Sequence, residues 1–255
     1  MTANGAPRAT ALAGMAFIVA ALAAWPRPAA AGMTADFELG AAWTGRNDQA
    51  IPGNGGTRFS LVNDLKTPVL PAFRARLGWD IGETQQVSAL FAPLRATARG
   101  AFNRDIRFCG RTYEAGKPVV AIYRFDSYRL TWRYRVAKGA DWAMWAGFTG
   151  KIRDAEVTLV GESEDSKYNT GFVPLLNFQV SWNPRGGPAG LLFDADAAAA
   201  SQGRAEDVHL AFTWRLRDGV TGRIGYRMVE GGADVDEVYN MAWIHYAVMG
   251  IMIGL

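Results

Sequence analysis

Cysteine is nearly missing from the chain: Cys109 stands alone in 255 residues. No intrachain disulfide can form, and a cysteine-rich zinc site is excluded. Histidine is scarce too, with only His209 and His245, so a histidine-based metal cluster has little to draw on. Neither a metal nor any other cofactor is expected. Past Ala31 no segment reaches the roughly 18 apolar residues that a membrane helix requires. The longest unbroken apolar run is YAVMGIMIGL, at the C-terminus. Helix-period patterns are nearly absent. A strong excess of one charge is absent as well. The formal net charge is +3, but Arg8 and Arg27 fall in residues 1–31, where no acid occurs. Without that segment the chain is almost neutral, so its charge does not support a polyanion-binding role, and no nucleic-acid partner is expected.

That first segment has an order of its own. Arg8 precedes an apolar run from Ala9 to Trp25, a proline break follows, and Ala29-Ala30-Ala31 closes it. A basic region, an apolar core and a small-residue site in that order predict a secretory signal peptide over residues 1–31, cleaved after Ala31. The exported part, residues 32–255, is then one domain.

What fills residues 32–255 is alternation. In YRLTWRYRV, residues Tyr128, Leu130, Trp132, Tyr134 and Val136 alternate with Arg129, Thr131, Arg133 and Arg135. A period of two is the mark of a strand with two unlike faces. Ten such segments follow one another, each as long as the 9–11 residues of a tilted membrane strand or longer. After the second, fourth, sixth and eighth segments the connections are short: GET, AKGA, NPRGGP and DG. After the odd segments longer polar stretches are expected, at 45–69, 100–118, 161–171, 201–207 and 231–237. Short turns on one rim and long loops on the other is the arrangement of an outer-membrane barrel. The expected fold is therefore all-β: a closed antiparallel transmembrane β-barrel of about ten strands, with both ends of the domain at the short-turn rim.

Aromatic and charged residues agree with this. Trp79, Trp142, Trp182 and Trp214 each lie beside a short turn on the apolar face, as a belt at one membrane interface requires. The opposite faces carry Glu38, Arg74, Arg76, Asp80, Arg129, Arg133, Arg135, Lys151, Arg153, Asp194, Asp196, Arg215, Arg217, Arg223 and Arg227. Unpaired charge in a dry core is very costly, whereas a lumen lets these groups pair or meet water. Gly40, Gly78, Gly147 and Gly225 leave room among them, which favours a filled interior. Pro93 and Pro174 fall inside strands, and a closed barrel has no free edge for them; bulges or outer-rim positions are expected there.

With these features the chain resembles the bacterial outer-membrane β-barrel proteins, the broad porin-like and OmpA-like group. The C-terminal strand carries the sharpest local likeness, with Gly250, Ile253 and Leu255 at the spacing that the outer-membrane assembly machinery reads; Leu255 replaces the usual aromatic end. The resemblance implies the bacterial outer membrane, with lipid and lipopolysaccharide as surroundings and the assembly machinery as partner.

Candidate chemistry is sparse. Asp194, Asp196, Asp207 and His209 meet on the inner face near the outer rim if residues 201–204 form a hairpin tip. A carboxylate beside a histidine can orient it as a general base. The pair of spacings resembles the Asp-x-Asp and Asp-x-His elements of omptin proteases, which implies an outer-rim hydrolase; in omptins, however, the two elements face each other from widely separated strands. The alternative is that these acids neutralise lumen arginines. Lipid A deacylases use a Ser/His pair on the lipid face, but no His-x-Ser follows His245. The Gly-rich IPGNGGTRFSL lacks the Lys-Ser/Thr of a phosphate loop and reads as a structured outer loop over the barrel mouth. RGAFNRDIRFCGRTYEAGK could pair its arginines with lipopolysaccharide phosphates or be a solvated extension of two strands. Three functions remain: a structural or binding barrel with an arginine-rich, largely filled lumen; a narrow channel for small anionic solutes, through Arg74, Arg76, Arg129, Arg133, Arg135, Arg215 and Arg227 with Glu38 and Asp80; and the rim hydrolase.

Overall fold

The computed structural model describes residues 32–201 and 203–255; the expected cleavage after Ala31 lies outside the described residues. The strands are β1 (Met33–Ala50), β2 (Phe59–Ser60), β3 (Leu70–Ile81), β4 (Gln85–Ala92), β5 (Arg95–Ala101), β6 (Ile106–Phe108), β7 (Arg111–Tyr113), β8 (Pro118–Lys138), β9 (Trp142–Val160), β10 (Glu164–Trp182), β11 (Ala189–Ala200), β12 (Gly203–Arg217), β13 (Val220–Val235) and β14 (Val238–Gly254). Ten antiparallel staves follow in chain order, with β4 and β5 sharing one. β14 closes onto β1 from Thr34↔Gly254 to Ala50↔Tyr239. Closure satisfies the backbone polar groups along both strands and leaves no edge, the condition for a sheet to stand in lipid.

The alternating residues sort as the period of two requires. Leu130, Leu210, Ile224 and Met249 point outward, between 54% and 62% exposed, and Tyr128, Trp132, Tyr134 and Val136 share that outer face. An apolar band of this extent is untenable in water and natural in a bilayer. Trp79, Trp142, Trp182 and Trp214 lie on it beside the short turns. A second aromatic group lies toward the other rim. His245 points outward, its ring stacked on Trp43 at 5.4 Å and tilted against Trp243 at 5.1 Å, with its Nδ1 2.5 Å from Tyr226 Oη. The bulge in this region is in β1, between Thr44 and Arg46, so His245 keeps the outward parity of its strand.

Three of the expected long outer loops are instead strand almost to the tip. β9 runs to Val160 and β10 begins at Glu164; β12 begins at Gly203; β13 runs to Val235 and β14 begins at Val238. β1 likewise continues past Gly45 to Ala50. Above the apolar band neither face of a strand meets lipid, so the apolar alternation fades while the backbone ladder continues. Pro93 falls in the break between β4 and β5, where the Leu94 amide donates to Asp126 Oδ1 at 3.1 Å. Pro174 stays within β10, opposite Gly150 of β9.

The real outer loops are residues 51–69 and 102–117, and both fold into the mouth. Phe59 packs edge-on against Phe102 at 5.4 Å and Phe108 at 6.0 Å. Ile51, Leu61, Leu65 and Ile106 are buried with them against the inner walls. Arg104 clasps Asp64 with two bonds of 2.9 and 3.1 Å. Tyr113 Oη lies 2.9 Å from Asp165, and Arg111 Nε lies 3.1 Å from the same carboxyl. The arginine-rich segment thus spends Phe102, Phe108 and Tyr113 on a cap and ties two of its arginines to acids, leaving Arg99 and Arg107 at the surface. Burial, and then the Asp165 carboxylate, pushes the Cys109 thiol up, which lowers its thiolate fraction at neutral pH. Maleimide labelling of the folded protein at pH 7 should accordingly be slow and should accelerate as pH rises. Phe102→Ala, costing about 3–5 kcal/mol, should loosen the cap and speed labelling; an unchanged rate in that variant would contradict the packing described.

Candidate functional site

Below the cap the lumen is closed by charge pairing. Asp207 on β12 accepts from Arg74 Nη2 on β3 (2.9 Å) and Arg227 Nη1 on β13 (2.5 Å), and Arg129 Nη2 on β8 lies 2.8 Å away. Glu38 on β1 accepts from Arg227 Nε and Nη2 at 3.0 and 3.1 Å and from Arg223 Nη2 at 3.0 Å. Asp196 on β11 accepts from Arg129 Nη1 (2.8 Å), Thr149 Oγ1 (2.7 Å) and Asn177 Nδ2 (2.9 Å). Asp194, two residues along, accepts from Arg76 Nη1 at 2.9 Å, with Arg133 Nη1 at 3.8 Å. Arg133 Nε in turn donates to Gln86 (2.8 Å), whose amide donates to Asp80 (2.7 Å). Arg223 also meets Asp36 at 2.7 Å.

Period-two register makes this possible. Residues an even number apart share the inner face, and the tilt of the staves brings inner faces of non-neighbouring strands within one arginine length. Arg74, Arg76, Arg129, Arg133, Arg223 and Arg227 are matched in number by Asp36, Glu38, Asp80, Asp194, Asp196 and Asp207, in a shared network in which Asp207 and Glu38 each take several arginines and Asp80 is reached through Gln86. The void left among Glu38, Arg74, Asp194, His209 and Arg227 measures about 20 Å³, room for about one water. Gly147 sets the close approach of β8 and β9: a Cβ there would lie 2.0 Å from the Trp132 carbonyl oxygen and 2.9 Å from Arg133 Cβ.

The expected Asp/His cluster does assemble, with Asp194 opposite His209 and Asp196 opposite Asp207. Its setting differs from the open outer rim anticipated for it. All four are between 1% and 6% exposed, closed in by arginines from across the barrel and lying below the cap. His209 Nε2 is 3.9 Å from Glu38 Oε2 and has no hydrogen-bond partner. Arg215 lies outside this network: it donates to the Gly186 and Gly187 carbonyls at 2.6 and 3.0 Å, stabilising a short turn. Arg135 reaches Glu83 at 3.6 Å, in another short turn. Both stand at the ends of their strands, where the inner face gives way to solvent. Sequence reading missed the neutral partners Thr149, Asn177, Gln86 and Gln179, although their inward parity was visible. Among the described residues no group of three or more His, Cys, Asp or Glu is placed to hold a metal ion.

Above the network, beside the cap, the outer ends of β9 to β14 surround a cavity of about 590 Å³. Small side chains make the space: Ala198, Ala199, Ala200, Gly203, Gly231 and Gly232 line it. Its deepest β9 residue is Lys151, only 4% exposed. The Lys151 ammonium stands 4.7 Å from the Phe125 ring centroid, and among the described residues it has neither a hydrogen bond nor an ion pair.

Among solved structures, the outer membrane protease OmpT from Escherichia coli superposes with a TM-score of 0.51 at 8% identity, over 88% of this chain and 97% of that one. The transport unit of the autotransporter AIDA-I from Escherichia coli aligns over 99% of this chain and 100% of that one, with a TM-score of 0.44 and 9% identity. The translocator domain of the autotransporter NalP from Neisseria meningitidis gives 0.39 and 11%, over 96% and 95% of the two chains. No family model matches the sequence, and no curated protein sequence does either. The fold is that of the bacterial outer-membrane β-barrels.

Removing one partner of a buried ion pair costs about 3–5 kcal/mol, since the other charge stays behind unpaired. Asp207→Ala strands charge on Arg74, Arg129 and Arg227 together. It should lower the temperature at which the barrel loses its compact gel mobility, whereas Arg215→Ala should leave that temperature nearly unchanged. Equal effects of the two would contradict the assignment of Arg215 outside the network.

Proposed function

We propose that this barrel stands in the bacterial outer membrane as a sealed, non-conducting protein that works by binding through its outer half. The observation that carries this is the network in which six lumen arginines meet six carboxylates, under an apolar cap. The channel reading drew on an arginine excess; with the arginines of this layer met by carboxylates and about 20 Å³ left free among them, the layer offers an anion no path across the barrel. A hydrolase needs its acid and base to face a substrate. Here Asp194, Asp196 and Asp207 are each held by guanidinium groups, and His209 is buried among them. Their arrangement supports a structural role.

Lipid surrounds the apolar band in this reading. The strand ending in Gly250, Ile253 and Leu255 serves the outer-membrane assembly machinery, and Arg99 and Arg107 remain available to lipopolysaccharide phosphates. The wild-type protein, reconstituted into planar bilayers, should carry no steady ionic current, and its fractionation should follow the outer membrane. A stable ohmic conductance would overturn the sealed-barrel reading, and recovery as a soluble periplasmic protein would overturn the placement.

A further inference from the structure

Besides the stretch above Ala42↔Leu70, where β2 takes over from β3 along β1 at Asp48↔Ser60 and Gln49↔Phe59, two places in the wall lose strand pairing toward the outer rim, and they are treated differently. β3 pairs with β4 only as far as Ala75↔Phe91, and β5 has no ladder to β3. That seam is filled: the loop residue Lys66 exchanges both backbone bonds with Arg99 of β5, at 3.0 and 3.1 Å, and Leu65 is buried behind it. The second seam lies between β10 and β11. These strands pair from Trp182↔Leu191 only to Leu176↔Ala197, although β10 continues along β9 to Glu164 and β11 continues along β12 to Ala200. Pro174, which has no N–H to offer a neighbour, sits two residues above the last pair. No loop fills this seam among the described residues; the 590 Å³ cavity lies behind it.

The cavity adjoins the wall at the seam. It is lined by inward-facing Val173 and Lys151 but also by Pro174 and Phe172, which lie on the outer face of β10. Phe172 is 70% exposed and Leu176, just below, 64%, so the seam opens where the outer surface is still apolar. Lys151 pairs with Val173 in the ladder, one strand in from the seam, and its ammonium faces the Phe125 ring of β8 at the foot of the cavity. A buried ammonium with no acidic partner is costly, and a ligand anion would satisfy it. Of the other charges on the lining, Glu156 meets Arg124 at 3.2 Å, Arg204 meets Glu230 and Arg153 donates to Asn169, while Lys167 and Glu237 stand exposed at the rim. The volume suits a small-molecule site, which typically spans roughly 300–1,000 Å³.

We propose that this cavity takes an amphiphile with one anionic head group, which enters sideways between β10 and β11 and places its head on Lys151 while its alkyl chain follows the alanine and glycine wall and the seam. The site rests on the reading of a sealed barrel in a membrane, and the two fail separately. A conductance removes the seal; binding that ignores Lys151 removes the ligand.

The test is a titration of the full-length folded protein in detergent with dansyl-undecanoate, followed by fluorescence. Dodecanoate and dodecyl phosphate should displace the probe; dodecyltrimethylammonium should not. Lys151→Met should weaken binding at least tenfold, while Lys151→Arg should restore most of it. Ala199→Trp, which narrows the seam without touching the charge, should slow probe uptake by a similar factor. Compact gel mobility confirms that each variant is folded. In nanodiscs, displacement that depends on phosphatidylglycerol over phosphatidylcholine assigns a bilayer lipid, and displacement independent of lipid type assigns a free acid. Tight binding by folded Lys151→Met, or equal displacement by the cationic amphiphile, overturns the anionic ligand. Unchanged uptake by Ala199→Trp overturns the sideways entry.

Discussion

Guanidinium and carboxylate groups pairing across the inside of the barrel are the interaction on which the rest depends. Side chains from β1, β3, β8, β11, β12 and β13 meet at Asp207, Glu38, Asp196 and Asp194. None of these charges could stay buried alone. Such pairs contribute little net stability compared with apolar packing, but breaking one is expensive. Their effect is to fix register. A slip by one residue would turn the lumen arginines toward lipid and the lipid-facing leucines toward the lumen. Charge balance inside and apolar surface outside therefore select the same register from opposite faces.

Above that layer the chemistry changes. Phe59, Phe102, Phe108 and Tyr113 build an apolar cap from segments that leave the wall and fold back into the mouth. The cap packs on β5 and β8 and also reaches the rims of β9, β10 and β14, through Tyr113 to Leu159 and Asp165 and through Arg58 over Tyr239, and it closes the seam beside β5. Beside the cap, the space along the inner walls of β9 to β14 is lined in good part by alanine and glycine and stays open. Lys151 stands at the boundary of the two layers, inward by parity yet beyond the reach of the acids below. A cation left over at the foot of this space, near an unpaired stretch of wall, is a place where the charge balance of the lumen does not close on itself.

Much of this was legible in the sequence. Alternation located all ten staves, because lipid on one face and charge on the other give the strongest period-two signal available. Trp79, Trp142, Trp182 and Trp214 marked the short-turn interface. Inward parity gathered Glu38, Arg74, Arg76, Arg129, Arg133 and Arg227 correctly. What failed has physical causes. Strands beyond the membrane lose the apolar face, so residues 161–171, 201–207 and 231–237 resembled loops. Arg215 shares the parity of lumen residues but stands at a strand end, and parity carries no information about depth. Asp194, Asp196, Asp207 and His209 were placed together correctly, but their partners on β3, β8 and β13 depend on barrel tilt, which no local pattern encodes. The cavity was hidden because its signals are absences: small residues, an interrupted ladder and a lysine without an acid.

The central claim is that charges on opposite parts of the wall are energetically coupled through the lumen. A double-mutant cycle between Arg74 and Asp207, read as unfolding free energy of the reconstituted barrel, tests it most directly. Residues in direct ionic contact couple by about 0.5–3 kcal/mol. The arrangement at 2.9 Å between Arg74 and Asp207 predicts a favourable coupling in the upper part of that range. Additive effects of the two substitutions, with no coupling beyond error, would contradict it.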